Sequence, residues 1–500
     1  MMPGHPKSSH AYLAIDQGTT SSRAILFNQH FEILFTAQQE FPQYYPDNGW
    51  VEQDPEELWQ SVLNVTTQAL QAAKEQQLEV KHLGITNQRE TILVWHRQTG
   101  KPVYNAIVWQ DRRTSAYCRA LSKHEASVQQ KTGLKLDPYF SASKVRWILD
   151  NVEGAAEQAA NNQLLFGTVD TFLIWKLTQG LVHATDVTNA SRTSLFNIKT
   201  LEWDEALLAL FDIPRTMLPE VKDCAADFGK TAAGLLPLEL SISGVAGDQQ
   251  AAMIGQGCVT PGSVKATYGT GCFALVNTGT NSDINHTGLL TTIAYTLNGV
   301  THYAVEGSIF VAGAAVQWLR DGLGLIEKAA DSEAIASQVS DNHGLVVVPA
   351  FTGLGAPHWA PDARGAIFGI TRATTANDIV RATLESICFQ THDLLSAMSS
   401  GGISPTVLKV DGGMVANEWF CQYLADTLDA PVVRPQIMET TALGAALLAA
   451  FQAGDITGLT ALATANPCQR EFAADTPDSL REKHLAKWQK AVKATLLMAE

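Results

Sequence analysis

The amino-acid sequence predicts an α/β protein made of two domains. Its 500 residues exceed what one ordinary hydrophobic core supports. Strand-length apolar runs alternate with capped helices from Tyr12 onward, the pattern of a layered α/β fold. Two hairpins rich in hydroxyls and glycine, around Gly18 and Gly269, lie about half a chain apart, as a duplicated fold with a nucleotide between its copies would place them.

Composition narrows the function. Hydrophobic residues make up 46% and charged residues 17%, which fits a packed globular enzyme. A net charge of −15 argues against nucleic acid or an anionic membrane as main partner, because both reward lysine and arginine. The seven cysteines are scattered without metal or redox spacing and are expected as free thiols in a cytoplasmic protein. Residues 1–10 lack an apolar core and are not expected to act as a signal peptide. Apolar segments such as Ala442–Phe451 are too short to span a bilayer, so no membrane insertion is expected.

The first hairpin reads YLAIDQGTTSSRAILF, from Tyr12 to Phe27. Its apolar run stops at Asp16, Gly18 allows the turn, and Arg23 opens the return strand. Between the strands lie Thr19, Thr20, Ser21 and Ser22, and exposed amides beside hydroxyls can cradle a phosphate. An ordinary polar surface hairpin is the alternative. Residues 31–41 supply a third strand. A helix then starts at Pro55 with Asp54 as N-cap and Glu57 closing a capping box, and a strand follows near Val80–Thr86.

That strand ends in consecutive polar residues, Asn87-Gln88-Arg89-Glu90. Neighbouring strand side chains point to opposite faces, so Arg89 and Glu90 share one site only if the backbone twists or bulges. Together they could grip vicinal hydroxyls; a surface ion pair of little worth is the competing reading. Trp109 and Tyr139 could line a pocket or be plain core. A helix is expected over Lys144–Leu149, an apolar element over Thr168–Lys176, and a polar loop over Asp186–Arg192.

In Ser243-Gly244-Val245-Ala246-Gly247-Asp248, two glycines lead into an acid at a helix start. Asp248 is either an N-cap or a catalytic base at a strand-to-helix turn. Thr267-Tyr268-Gly269-Thr270-Gly271 repeats the character of the opening hairpin. Glu306-Gly307-Ser308 is expected to lead into a helix over Val311–Leu319, with Gly313 and Gln317 on one face and Gly313 admitting a flat ligand. Gly344–Phe351 suits a buried parallel strand. Val407–Val410 ends in Asp411-Gly412-Gly413, a turn against which a purine or ribose could lie. Ala442–Phe451 is a small-residue helix able to pack closely on a sheet. The lysines of the last helix, at 483, 487, 490 and 493, read as a solvated face.

Taken in order, these stretches resemble the FGGY carbohydrate kinase family, and within it the members that phosphorylate glycerol, from Tyr12 to about Gln452. The resemblance implies two actin-like (ribonuclease H-like) domains, 1–255 and 256–500, with a catalytic cleft between them. It implies ATP/ADP and Mg²⁺ as cofactors, with Asp16 at the metal and Thr19, Thr20, Ser21 and Arg23 around the phosphates. Thr270, Gly313, Gln317, Gly413 and Asn417 would complete the nucleotide site. Arg89, Glu90, Tyr139, Asp248 and Gln249 would hold the hydroxyls of glycerol, Trp109 and Phe273 would cover its C–H face, and Asp248 would be the catalytic base. Assembly as a homo-dimer or homo-tetramer stays open. One departure stands out: Thr231–Ser241 has no arginine where many bacterial members bind a sugar bisphosphate inhibitor, so that feedback route is not expected. A kinase for a longer polyol or ketose is the nearest alternative, and an actin-like ATPase without a sugar substrate the more distant one.

Overall fold

The apolar run at Tyr12–Ile15 forms the middle of strand β1 (His10–Gln17), which pairs antiparallel with β2 (Ser21–Asn28). The computed structural model describes residues 10–283, 288–399 and 407–499. The reading of residues 1–10 therefore lies, His10 apart, outside the described residues.

The chain divides into two compact units that do not follow a single cut. The first runs to Val259 and takes back Thr291–Tyr303 and Glu439–Asn466; the second holds Thr260–Leu290, Ala304–Met438 and the stretch from Pro467.

In the first unit β3 (Ile33–Glu40) follows β2, and helix α1 (Pro55–Glu75) leads to β4 (Glu79–Asn87). Strand β5 (Ser241–Gly247) completes a sheet of order β5-β4-β1-β2-β3, with β4 parallel to both β1 and β5. Asp54 caps α1 by accepting from the amides of Glu56 and Glu57. The capping box is not reciprocal, because Glu57 accepts the Tyr44 hydroxyl at 2.9 Å instead. The apolar stripe of α1, including Leu58, Val62, Val65 and Leu70, buries against Leu13, Ile15, Leu26 and Leu83. Helix Thr440–Ala453 packs on β4, β5 and the helix Asp248–Gly255. Its approach is backbone to backbone: a Cβ on Gly84 would overlap the carbonyl of Ala445, and one on Gly444 that of Ala251. Only glycine admits such contact.

In the second unit β6 (Val264–Tyr268) and β7 (Cys272–Gly279) form an antiparallel hairpin. With the Ala304–Ile309 part of β8 (Val300–Ile309), β9 (Leu408–Asp411), β10 (Val432–Pro435) and β11 (Cys468–Phe472), the strands of this unit take the order β8-β7-β6-β9-β10-β11 within a seven-stranded sheet. Strand β9 runs parallel to both β6 and β10. Ile387 and Leu394 of helix Ala376–Ser399, and Phe420 and Leu424 of helix Glu418–Leu428, pack on Val264, Ala266, Tyr268 and Val410.

Three expectations are corrected. Glu306, Gly307 and Ser308 lie inside β8, and the helix covers only Gly313–Gln317 before a π-helical turn at Trp318–Gly322. Burial on both sides of β8 makes its sequence too uniform to show where the strand stops. Val346–Val348 pairs antiparallel with Ala366–Phe368 rather than parallel, since an apolar run carries no direction. Val187–Ala190 is a buried helical turn capped by Asp186, not a polar loop; Thr188 and Asn189 are satisfied inside the protein by Asp186, Asn87 and the Gly247 amide.

Candidate active site

In the first hairpin the turn is closed by Gly18 N–H donating to Ser21 O at 2.9 Å. Pairing sets Asp16 opposite Arg23. The hydroxyls divide: Ser22 is buried on Ser61 at 2.8 Å, while Thr19, Thr20 and Ser21 stay at the turn. Arg23 reaches Glu439 at 2.9 Å and Gln38 at 3.1 Å. Burial pushes the Asp16 carboxyl up to about 7; Arg23 opposes this, and the carboxylates of Asp248 and Glu439 add to it. A carboxylate held among other carboxylates suits a hard divalent cation. Among the described residues no group of three or more His, Cys, Asp and Glu side chains forms a ligand cage.

The bend required after β4 is present. Glu90 has φ 60°, a left-handed conformation uncommon for a non-glycine residue, and Thr91 N–H donates back to Arg89 O at 2.7 Å. Arg89 and Glu90 thereby occupy one site, with Arg89 Nε 3.8 Å from Glu90 Oε1 and 3.2 Å from Asp248 Oδ1. Arg89 and Glu90 are 3% and 1% exposed, which rules out a surface ion pair. Asp248 is not the N-cap. Gly247 holds that position, and Asp248 opens the helix with a side chain about one-third exposed at 32%. Its Oδ1 also accepts the Gln249 amide at 2.6 Å.

Trp109 and Tyr139 meet edge to face at 5.6 Å, both half-buried, so they are not plain core. Trp109 Nε1 donates to Thr19 Oγ1 at 3.0 Å, tying this aromatic pair to the first hairpin. Lys144 donates to the carbonyls of Tyr139 and Phe140 at 2.6 and 3.2 Å, and its burial pulls its amine down to about 8. Arg89, Glu90, Trp109, Tyr139, Asp248 and Gln249 thus belong to one unit and, with Asp16, to one side-chain neighbourhood.

The remaining expected residues belong to the second unit. Gly269 N–H closes the second turn on Gly271 O at 2.9 Å, and the amides of Ala312 and Gly313 donate to Thr270 O and Gly269 O, both at 2.9 Å. A Cβ on Gly313 would come within 2.6 Å of Gly269 O, so this glycine admits the hairpin backbone. Gly412 has φ 91°, whereas a Cβ on Gly413 would meet nothing within 4 Å. Asn417 caps the helix Glu418–Leu428 through Phe420 N–H at 2.8 Å. Gln317 ends the short helix, and Phe273 sits half-buried at the start of β7. A cavity of about 650 Å³ in the same unit, walled by Arg381, Glu385, Trp419, Tyr423, His484 and Lys487, contains none of the expected residues.

Sequence reasoning passed over Arg192 and Gln250. Arg192 Nε donates to Glu90 Oε1 at 2.6 Å, both side chains buried, and Gln250 Oε1 accepts from Arg89 at 3.3 Å. Gln250 was readable as the neighbour of Asp248 and Gln249; Arg192 offered no signal beyond sitting in a polar run.

Models of the N- and C-terminal domains of the FGGY family of carbohydrate kinases match residues 11–255 and 264–453. The chain belongs to the FGGY family of carbohydrate kinases. This FGGY kinase is 57% identical over 485 residues to the glycerol kinase of Rhodospirillum centenum, covering 97% of each chain. It is 55% identical over 487 residues to glycerol kinase 1 of Pseudomonas aeruginosa, covering 97% and 99%. Among solved structures, Plasmodium falciparum glycerol kinase with ADP superposes at a TM-score of 0.94 and 37% identity, covering 98% and 99%. The two-unit α/β architecture is therefore that of FGGY kinases.

Proposed function

We propose that the protein transfers the γ-phosphoryl group of ATP to a primary hydroxyl of glycerol, giving sn-glycerol 3-phosphate. The buried Arg89–Glu90 pair meeting Asp248 at 3.2 Å carries this reading, alongside relatives named glycerol kinase at 55–57% identity. Arg89 donates to, and Glu90 accepts from, adjacent hydroxyls of a small triol. Tyr139 and Gln249 complete the polar contacts, while Trp109 and Phe273 cover the carbon face.

An alcohol is about as weakly acidic as water, with a pKa of roughly 15.7, so a carboxylate cannot strip its proton in advance. Asp248 orients the attacking hydroxyl and takes its proton as the phosphorus–oxygen bond forms. Arg89 at 3.2 Å aims the Asp248 side chain. Thr19, Thr20 and Ser21, with the amides of their turn, line the phosphates, and Arg23, braced by Glu439, adds positive charge there. Asp16 would hold Mg²⁺, directly or through water, and the ion when bound neutralises charge on the transferring phosphoryl group. Thr270, Gly313, Gln317, Gly413 and Asn417 take the rest of the nucleotide. We further assign residues 1–255 to the acceptor and catalytic base and 256–500 to the adenosine, and expect a cytoplasmic enzyme; free cysteines, six of them buried, and the lack of a membrane-crossing helix among the described residues support that location. A homo-dimer or homo-tetramer is the proposed assembly.

The test is a coupled ADP-release assay across glycerol, dihydroxyacetone, erythritol and xylulose. Highest kcat/KM on glycerol is expected. Preference for xylulose or erythritol would move the assignment to another FGGY substrate, and ATP hydrolysis independent of any polyol would discard it.

A further inference from the structure

We propose that the buried turn Asp186–Arg192 is the positioning element of the acceptor site, holding Glu90 through Arg192 and the start of the Asp248 helix through Thr188. This rests on the role proposed above for Glu90 and Asp248.

Three contacts leave this short segment for three points of the site. Arg192 Nε donates to Glu90 Oε1 at 2.6 Å, and its guanidinium lies 5.8 Å from the Tyr139 ring. Asn189 exchanges amide hydrogen bonds with Asn87, each 3.0 Å, fixing the end of β4 just before Arg89. Thr188 Oγ1 accepts the Gly247 amide at 2.9 Å and donates its own hydroxyl hydrogen bond to Asp186 Oδ2 at 2.6 Å. Asp186 also takes the amides of Thr188 and Asn189, at 2.8 and 3.1 Å, so its carboxylate is fully engaged by the turn it caps.

The geometry explains how a strained residue is held. Glu90 sits at φ 60° with its carboxylate buried; Arg192 supplies the charge that offsets this burial, and Ser141 Oγ holds the Glu90 carbonyl at 3.1 Å. The Gly247 contact sets the first turn of the following helix, from which Asp248 projects. None of the three residues needs to touch the substrate. They fix where the hydroxyl acceptor and the proton acceptor stand relative to each other, a separation on which phosphoryl transfer depends steeply.

The experiment compares Arg192→Lys, Thr188→Val and Thr188→Ser, with Glu90→Gln as reference, by steady-state kinetics in both substrates. Arg192→Lys is expected to raise the KM for glycerol about tenfold while leaving that for ATP within about twofold, because the Nε–H donor to Glu90 is lost and the charge kept. Thr188→Val is expected to lower kcat about tenfold at nearly constant KM, and Thr188→Ser to restore it to within about twofold, since the hydroxyl alone is required. Equal rises in the KM values for glycerol and ATP in Arg192→Lys, no loss at either position, or failure of serine to rescue Thr188→Val would overturn the proposal. If Glu90→Gln leaves the glycerol KM unchanged, the underlying substrate reading fails instead. Should Arg192→Lys not fold, the Thr188 pair decides alone.

Discussion

The indole N–H of Trp109 donates to the Thr19 hydroxyl at 3.0 Å, joining an aromatic wall of the acceptor site to the hairpin assigned to the phosphates. Trp109→Phe keeps an aromatic ring near Tyr139 and removes that hydrogen bond together with part of the indole's packing surface. A neutral bond of this kind contributes about 1 kcal/mol, so kcat/KM should fall about fivefold. Because the contact joins both halves of the reaction, the loss should appear with glycerol and with ATP alike. A change confined to glycerol would show that the contact only shapes the pocket.

Asp248→Asn keeps size and polarity while removing the proton acceptor. Glycerol and ATP should still bind, as calorimetry would report, while kcat drops by about 10²–10⁴. Turnover near that of the parent enzyme would remove Asp248 from the mechanism.

Asp16 makes a pH-dependent prediction. Its carboxyl is raised from 3.8 to about 7, so the folded chain keeps a proton that the unfolded chain has released between those values. Stability therefore falls as pH rises through that window, and Asp16→Asn should remove that part of the fall. Asp170 and Glu385 are likewise raised to about 7 by burial, so the variant is needed to isolate Asp16. A divalent cation favours the charged carboxylate, so Mg²⁺-nucleotide should bind more tightly between pH 6 and 8 in the parent and with a flatter profile in Asp16→Asn. Titration calorimetry in two buffers of different ionisation heat measures the proton released; none released by the parent would contradict the metal assignment.

Adjacent glycines make a paired prediction. A side chain on Gly413 meets open space, so Gly413→Val should fold normally yet raise the KM for ATP about tenfold, equivalent to about 1.4 kcal/mol, without touching glycerol. Gly412→Val should instead lose thermal stability, because φ 91° disfavours any side chain and its Cβ would overlap Tyr268 O. Unchanged ATP kinetics in Gly413→Val would take the nucleotide away from this turn.

Much of the site was legible because its chemistry is written in short contiguous runs. An apolar run that stops at Asp16, a polar break at Asn87–Glu90 and glycines before Asp248 each state a local geometry, and local geometry survives in sequence. What escaped depends on contacts across long separations. Arg192 looks like any loop arginine until Glu90 is folded onto it. The antiparallel pairing of Val346–Val348 with Ala366–Phe368 has no signature in either strand, because alternation and burial look the same in both directions. The end of β8 was invisible for a similar reason: a strand buried on both faces runs into a helix without a polar break.

The first unit is finished by a late part of the chain. Helix Thr440–Ala453 lies backbone to backbone on Gly84 of β4 and Gly444 meets Ala251, yet this helix is made after almost all of the second unit has been translated. On the ribosome, therefore, strands β1 to β5 emerge with one apolar face bare and wait for most of the protein's synthesis before it is covered. Chains released early, by truncation or premature termination before residue 439, leave that face open, and such exposed apolar surface is prone to aggregate.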